Sequence, residues 1–407
     1  MGQILVGYGL GWTAPVIPKL QDPDQTPLPN VISDQGASWI GSLLFIGTIT
    51  GASICLLSFL VLALANNLAM IFTGRILMGL GTGIIFVVNL VYIGEIASTH
   101  IRGILLTATG IFGTFGTLII YSVGPYVPYS VTGYLGVAIT LVYISGIFFI
   151  PETPLFLVLR GDEEKAKEIL TYLGREEDIG KIVSSKQELS DDRKTNNNQW
   201  SEIFSVRSNR KALFITLSLN ILQQMSGVIA VIFFATTIFE LADSSVEPNI
   251  ATIIIGITQI AASSVTPFFV ERSGRKSLLL FSTAACCLSL GVLGTYFYLD
   301  GVNSPLAASV KWLPLLTLIV FFLSYDLGKS IIKRWLTSST GSTVTITIGW
   351  LVGFVVATAF GYMIQLGPYF AFWFYAAACA AAFAFTVIFV PETRGKSLAE
   401  IQHMLSQ

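Results

Sequence analysis

Two neighbouring amides, Gln223 and Gln224, stand at the head of the apolar stretch LQQMSGVIAVIFFATTIFEL, residues 222–241. A side-chain amide offers hydrogen-bond donors and acceptors without charge, which is what a neutral polyol needs from a binding site. Polar residues in helical bundles also bond neighbouring helices. The pair therefore indicates either a site for a neutral polar ligand or a contact between helices.

Charged residues gather in short tracts at the ends of apolar runs. YIGEIASTHIRG contains Glu95 and Arg102, and ERSGRKSLLL begins at Glu271. A PET triplet occurs twice, in PETPLFLVLRG at 151–161 and in PETRGKSLAEI at 391–401. This duplication predicts two related halves, a layout typical of transporters built from repeats.

Composition restricts the classes of protein that fit. Hydrophobic residues make up 53% of the 407 residues and charged residues 12%, which is typical of a membrane protein. The net charge of -1 predicts no nucleic-acid partner. We expect no enzyme, cofactor, metal site or disulfide framework, because the sequence lacks a Ser/His/Asp set, a metal-ligand spacing and a phosphate-binding glycine loop. The four cysteines all lie inside apolar runs: Cys55, Cys286, Cys287 and Cys379.

About eleven apolar runs have the length that a helix needs to cross a bilayer. They cover residues 3–20, 39–66, 69–92, 103–122, 131–150, 211–241, 250–270, 277–298, 312–332, 342–365 and 369–390. The first run lacks a cleavage site and is expected to be retained. We predict an N-terminal bundle at 1–150, a cytoplasmic linker with helices at 151–210, a C-terminal bundle at 211–390 and a cytoplasmic tail at 391–407.

Lys and Arg mark the cytoplasmic loops, and their alternation is regular from Glu95 onward. It fails upstream, where both ends of the run 39–66 are predicted to be external. That run is too long for one upright span and too short for two, so we expect a break around 51–53. Arg75, near the external end of its run, is expected to snorkel to the headgroups.

These motifs resemble those of the sugar porter family of the major facilitator superfamily, most closely its insect facilitated trehalose transporter branch. GRILMGLGTG at 74–83, the tract around Glu95, both PET tracts, QQMSG and ERSGRKSLLL carry the resemblance. It implies an all-α membrane protein with the major facilitator fold, nominally two six-helix bundles with a cytoplasmic helical linker. It also implies a plasma-membrane, multi-pass protein with a cytoplasmic C-terminus.

The resemblance further implies roles for individual residues. Sugar contacts would come from Gln223, Gln224, Gln259 and Trp350, although plain packing explains Trp350 nearly as well. Salt bridges that close the cytoplasmic side between the bundles would come from Glu95, Arg102, Glu152, Glu271, Arg272, Arg275 and Glu392. Ordinary positive-inside anchoring remains the alternative for each charged residue.

The sequence departs from the family pattern at several of its polar positions. Ile229 replaces an asparagine, Phe233 and Phe234 replace tyrosines, and Gly110 replaces a glutamine. The tenth helix has YDLGKSIIKRWLTSSTGS in place of its Gly-Pro-x-x-Trp gate, and a loop is missing near residue 54. These departures favour a second hypothesis, a non-transporting sugar-binding membrane protein such as a sensor or an inactive isoform.

The leading hypothesis is facilitative transport of a neutral sugar, trehalose or a hexose, by alternating access. Gly9 occupies the slot where proton symporters of the family place an aspartate, so uniport is favoured over proton coupling. The partners expected are a small neutral sugar and the lipid bilayer, and the oligomeric state is left open.

Overall fold

The computed structural model describes residues 55–98, 101–147, 149, 151–154, 157–158, 162–180, 207–272, 274–334 and 339–392. Every regular element within these ranges is a helix. Four helices lie within residues 55–147: α1 (Cys55–Ala63), α2 (Leu68–Ile96), α3 (Arg102–Val123) and α4 (Tyr129–Ile147). The predicted run 3–20 and the predicted break around 51–53 lie outside the described residues.

The remaining helices lie between residues 163 and 389. They are α5 (Glu163–Tyr172), α6 (Arg207–Gln224), α7 (Val228–Phe233), α8 (Ala235–Leu241), α9 (Pro248–Arg272), α10 (Arg275–Gly301), α11 (Pro305–Ser309), α12 (Leu313–Arg334), α13 (Ser339–Leu366) and α14 (Pro368–Phe389). Short 3-10 turns occur at Gly124–Tyr126 and Glu176–Asp178.

The described helices fit a bilayer in length and in surface chemistry. Eight of them are long and apolar enough to cross a membrane, and Leu313–Gly328 in α12 is a shorter apolar stretch. Large apolar side chains point outward along these helices, including Val355, Leu288 and Phe268, which are 61%, 69% and 73% exposed. A soluble monomer rarely exposes so much contiguous apolar surface, so the outer face is suited to lipid.

In the first half of the chain, α1 packs between α2 and α4, and both contacts are made at glycines. A Cβ added to Gly81 would lie 2.7 Å from the Cα of Cys55, and one added to Gly133 would lie 2.6 Å from the Cα of Ala63. The side chain of Phe59, in the middle of α1, is fully buried. Glycines let the three backbones approach closely, as in other membrane helix contacts.

In the second half, α10 packs against α12 and α14, while α6 packs against α13 and α14. The two halves meet where α3 packs against α9. A Cβ on Gly256 in α9 would lie 2.9 Å from the side chain of Leu118 in α3. One buried apolar cluster runs continuously through both halves, from Phe59 to Tyr375.

Candidate functional site

The amide pair lies where the predicted run 211–241 is interrupted. Helix α6 ends at Gln224, and α7 begins at Val228 after a turn through Gly227. Gly227 has a φ of 77°, and a Cβ there would lie 2.3 Å from the ring of Tyr375. Both the left-handed backbone and the close ring favour glycine. Interrupted membrane helices are tolerated where they line a cavity or are covered by protein, and transporters bind their substrates at such interruptions.

Gln224 contacts the helix that carries Trp350. Its Nε2 donates a hydrogen bond to the carbonyl oxygen of Gly349 at 3.1 Å, and Trp350 follows on α13. One turn earlier, Nδ2 of Asn220 donates to the carbonyl oxygen of Thr345 at 2.7 Å. These two amides are four residues apart on one face of α6 and bind it to α13. Asn220 was not among the predicted site residues, although its spacing from Gln224 is a signal that the sequence contains.

Gln223 faces a different environment from its neighbour. Its side chain lines a cavity of about 40 Å³ together with Tyr325, Ser226 and Ser282. The walls of this cavity are mostly apolar, with Leu219, Leu222 and Leu279 among its lining residues. The cavity lies among α6, α10, α12 and α14, inside the second half, so the pair does not act as one unit.

Gln259 is a predicted sugar-contact residue whose buried amide has unused hydrogen-bonding capacity in the described structure. Its side chain is 6% exposed, and its Nε2 has no hydrogen-bond partner among the described residues. One turn further along α9, the hydroxyl of Ser263 donates to Oδ2 of Asp326 at 2.5 Å. Leaving a buried amide unpaired costs about 1–3 kcal/mol, and such a group in a folded protein calls for a functional explanation.

Contacts between the halves surround α7. The hydroxyl of Tyr121 in α3 donates to the carbonyl oxygen of Ile232 at 2.7 Å. The guanidinium of Arg75 in α2 lies 5.9 Å from the ring centroid of Phe233, a cation–π distance. The prediction that Arg75 snorkels to the headgroups was wrong, because its side chain is fully buried. The second half covers Arg75, and loop charges could not reveal that contact.

The charged residues of the first half lie near the C-terminal end of α2, which ends at Ile96. The main-chain oxygen of Glu95 accepts a hydrogen bond from Nη1 of Arg175 at 2.7 Å. Nη2 of Arg102 donates to the carbonyl oxygen of Ala97 at 3.4 Å. Glu152 is exposed. The contact made by Arg175 was not predicted, since no sequence spacing joins it to Glu95.

In the second half, Glu392 lies at the start of α10. Its Oε2 accepts a hydrogen bond from the main-chain nitrogen of Lys276 at 3.1 Å, a favourable position for a carboxylate at a helix N-terminus. Nζ of Lys276 donates to the carbonyl oxygen of Val387 at 2.9 Å. The side chains of the remaining predicted residues lie outside the described part of the structure: Glu271, Arg272 and Arg275.

The fold is shared with solved membrane transporters. The partially occluded inward-open conformation of the xylose transporter XylE from E. coli matches with a TM-score of 0.78 and 20% identity, covering 98% of this chain and 97% of that one. The MFS (major facilitator superfamily) proton:xylose symporter XylE bound to 6-bromo-6-deoxy-D-glucose matches with a TM-score of 0.74 and 21% identity, over 99% and 97%. The chain therefore has the major facilitator fold.

Curated relatives match along the whole chain. The facilitated trehalose transporter Tret1 of Drosophila virilis is 32% identical over 100% of this chain and 48% of its own length. The Tret1 of Culex quinquefasciatus is 30% identical over 100% of this chain and 84% of its own length. The chain thus spans about half the length of the Drosophila relative.

The family profile described as "Sugar (and other) transporter" matches residues 38–405. Together with the helices suited to a bilayer, this match makes the chain a multi-pass integral membrane protein that belongs to the sugar transporter family.

Proposed function

We propose that the protein is a facilitative carrier for a neutral sugar, trehalose or a hexose, and that it works by alternating access. The buried amide of Gln259, which has no partner for its Nε2 among the described residues, is the observation that carries the proposal. A polyol hydroxyl entering the site would accept that hydrogen bond and relieve its desolvation cost. The names of the Tret1 relatives support trehalose as the substrate.

Four residues are proposed as the substrate site: Gln223, Gln224, Gln259 and Trp350. Gln224 is adjacent to Trp350 through Gly349, which supports a joint role in which the indole stacks on a sugar face. Gln223 is included because of the sugar porter resemblance, and it lines a small cavity beside Tyr325. Amides and an aromatic ring match a ligand that is neutral, flat on one face and rich in hydroxyls.

We propose that the cytoplasmic charges hold the bundles together when the site is open to the outside. The set is Glu95, Arg102, Glu152, Glu271, Arg272, Arg275 and Glu392. Its support is the placement of Glu95 and Arg102 at the end of α2 and of Glu392 at the start of α10. Breaking and remaking such pairs would let the two bundles rock about the central site.

The proposed organisation follows the two-bundle fold. Residues 1–150 and 211–390 form the bundles, 151–210 the cytoplasmic linker, and 391–407 the tail. The distribution of Lys and Arg supports a cytoplasmic C-terminus, and the sugar porter resemblance supports the plasma membrane.

Uptake of radiolabelled trehalose and glucose into proteoliposomes tests this function. Uptake should stop at the equilibrium concentration, and an imposed proton gradient should leave it unchanged, because Gly9 replaces the acidic residue of the symporters. The matched variants are Gln259→Met, which removes the proposed sugar contact, and Lys165→Ala, which alters only an exposed cytoplasmic side chain. Equal uptake by empty liposomes would refute the carrier, and accumulation driven by low external pH would refute uniport.

A further inference from the structure

The cytoplasmic end of α2 is capped by arginines. The last carbonyl groups of a helix have no partner within the helix, and α2 ends at Ile96. Nη1 of Arg175 donates to the main-chain oxygens of Glu95 at 2.7 Å and Ile96 at 3.0 Å. Nη2 of Arg102 donates to the next carbonyl oxygen, that of Ala97, at 3.4 Å. Three successive carbonyls are therefore bound by two cations, which also oppose the negative end of the helix dipole.

Arg175 is held in place by its own surroundings. Helix α5 ends in a turn through Gly174, whose φ is 65°, and the main-chain nitrogen of Arg175 donates back to Leu170 at 2.8 Å. Nε of Arg175 bonds Oδ2 of Asp178 at 2.9 Å, with the arginine side chain only 10% exposed. Because the guanidinium is planar, the bond from Nε to Asp178 also fixes the direction in which Nη1 can donate. The carbonyls of α2 lie in that direction.

A second contact joins the same part of the chain to α2. The hydroxyl of Tyr92 donates to the carbonyl oxygen of Pro151 at 2.9 Å. After Pro151, the side chains of Leu157 and Val158 pack against Ala166 on α5. The described part of segment 151–180 is thus connected to α2 at its beginning and near its end.

We propose that Arg175 is a positioning residue that fixes segment 162–180 to the first bundle, so that the two move as one body when the bundles rock. The contact also sets the position of Glu95, one of the proposed gating residues, because Arg175 binds the main chain of that residue. This inference rests on the proposed function, since a rocking movement is what the segment would accompany. Contacts between the segment and the second bundle would then be the ones that change.

Double electron–electron resonance on reconstituted protein tests this directly. A label at Tyr172→Cys, which is 82% exposed, is paired with Tyr126→Cys at the external end of the first bundle or with Leu306→Cys in the external part of the second half. Cys287→Ala removes the partly exposed native thiol, and the other three cysteines are buried. The 172–126 distance should be narrowly distributed and unchanged by trehalose or glucose, whereas the 172–306 distance should shift.

Variants separate positioning from general stability. Arg175→Ala should broaden the 172–126 distribution and lower the rate of sugar exchange without changing equilibrium sugar affinity. Arg175→Lys keeps the positive charge but loses the planar guanidinium, so its 172–126 distribution should be broadened less than that of Arg175→Ala. Asp178→Asn should broaden the distribution about as much as Arg175→Lys does. Lys165→Ala, which removes an exposed ion pair with Asp162 on the same segment, should match the parent protein.

Three results would overturn the inference: a 172–126 distance that shifts with sugar, an unchanged 172–126 distribution in both Arg175 variants and in Asp178→Asn, or equal broadening in Lys165→Ala. The lysine and asparagine variants keep the test valid if the alanine variant does not fold. If sugar does not shift the 172–306 distance but the Arg175 variants still broaden the 172–126 distribution, the carrier proposal fails. The proposal that Arg175 fixes segment 162–180 to the first bundle would then stand.

Discussion

Gln259→Met is expected to weaken sugar binding while making the protein more stable. Methionine has a similar shape to glutamine but no amide, so it removes the Nε2 group that lacks a partner among the described residues. Gln259 is 6% exposed, so this group is largely removed from bulk water. The same group is the donor that we assign to a sugar hydroxyl.

The two effects have separate magnitudes. Losing one hydrogen bond to the sugar should cost about 1–3 kcal/mol of binding free energy, which is roughly a 5- to 150-fold weaker affinity. Removing a buried, unpaired donor should raise the free energy of unfolding, by about 0.5–2 kcal/mol on the scale of polar-group burial. Few substitutions in a membrane bundle are expected to move affinity and stability in these opposite directions.

Gln224→Met is the matched control. Its Nε2 already donates to Gly349 at 3.1 Å, so methionine removes an interhelical hydrogen bond, which is worth about 0.6 kcal/mol on average and up to about 1.7 in membrane proteins. Its melting temperature should therefore fall. Equilibrium binding of radiolabelled sugar and thermal unfolding in detergent measure the two quantities. An unchanged affinity in Gln259→Met, or a lower melting temperature, would refute the assignment.

Three further predictions concern packing, bundle contact and topology. Gly81→Ala should lower the melting temperature, because the added Cβ would lie 2.7 Å from backbone atoms of α1 and overpacking costs about 1–3 kcal/mol. Gly291→Ala is the control: Gly291 has open space around it, so this change should leave the melting temperature unchanged or raise it. Tyr121→Phe removes a 2.7 Å hydrogen bond between the halves worth about 0.5–1.5 kcal/mol, so cysteines placed along α7 should react faster with an impermeant external thiol reagent. Cysteines at positions 30 and 67 should react with such a reagent from the same face of the membrane, and labelling from opposite faces would contradict the predicted broken run 39–66.

Helix positions were predictable from apolar length alone. The run predicted at 103–122 is α3 at Arg102–Val123, and the run at 250–270 is α9 at Pro248–Arg272. A bilayer imposes a minimum apolar length, so composition carries this information directly. The run 211–241 shows the limit of that argument. It is three helices, because the backbone leaves the helical conformation at Gly227, whose φ is 77°, and again at Phe234, and a hydropathy pattern does not report such breaks.

The sequence indicated which residue types the candidate site contains, but it did not indicate which of their side chains contact one another. Adjacent residues on a helix do not face the same way, and Gln223 and Gln224 accordingly have different surroundings. The contact of Arg175 with Glu95 spans 80 residues and has no periodic signal. The burial of Arg75 was missed for a related reason, since its contact with Phe233 on the other half also lacks a sequence signal.

Counterflow tests the central claim most directly. Proteoliposomes loaded with unlabelled trehalose are diluted into a trace of labelled trehalose, and internal label is followed over time. A carrier that exchanges sugar by alternating access should show a transient internal accumulation above the external concentration, diminished in Gln259→Met. A protein that binds sugar in equilibrium experiments but shows no such transient would be a non-transporting member of the family, and the account given for its site would be wrong as an account of transport.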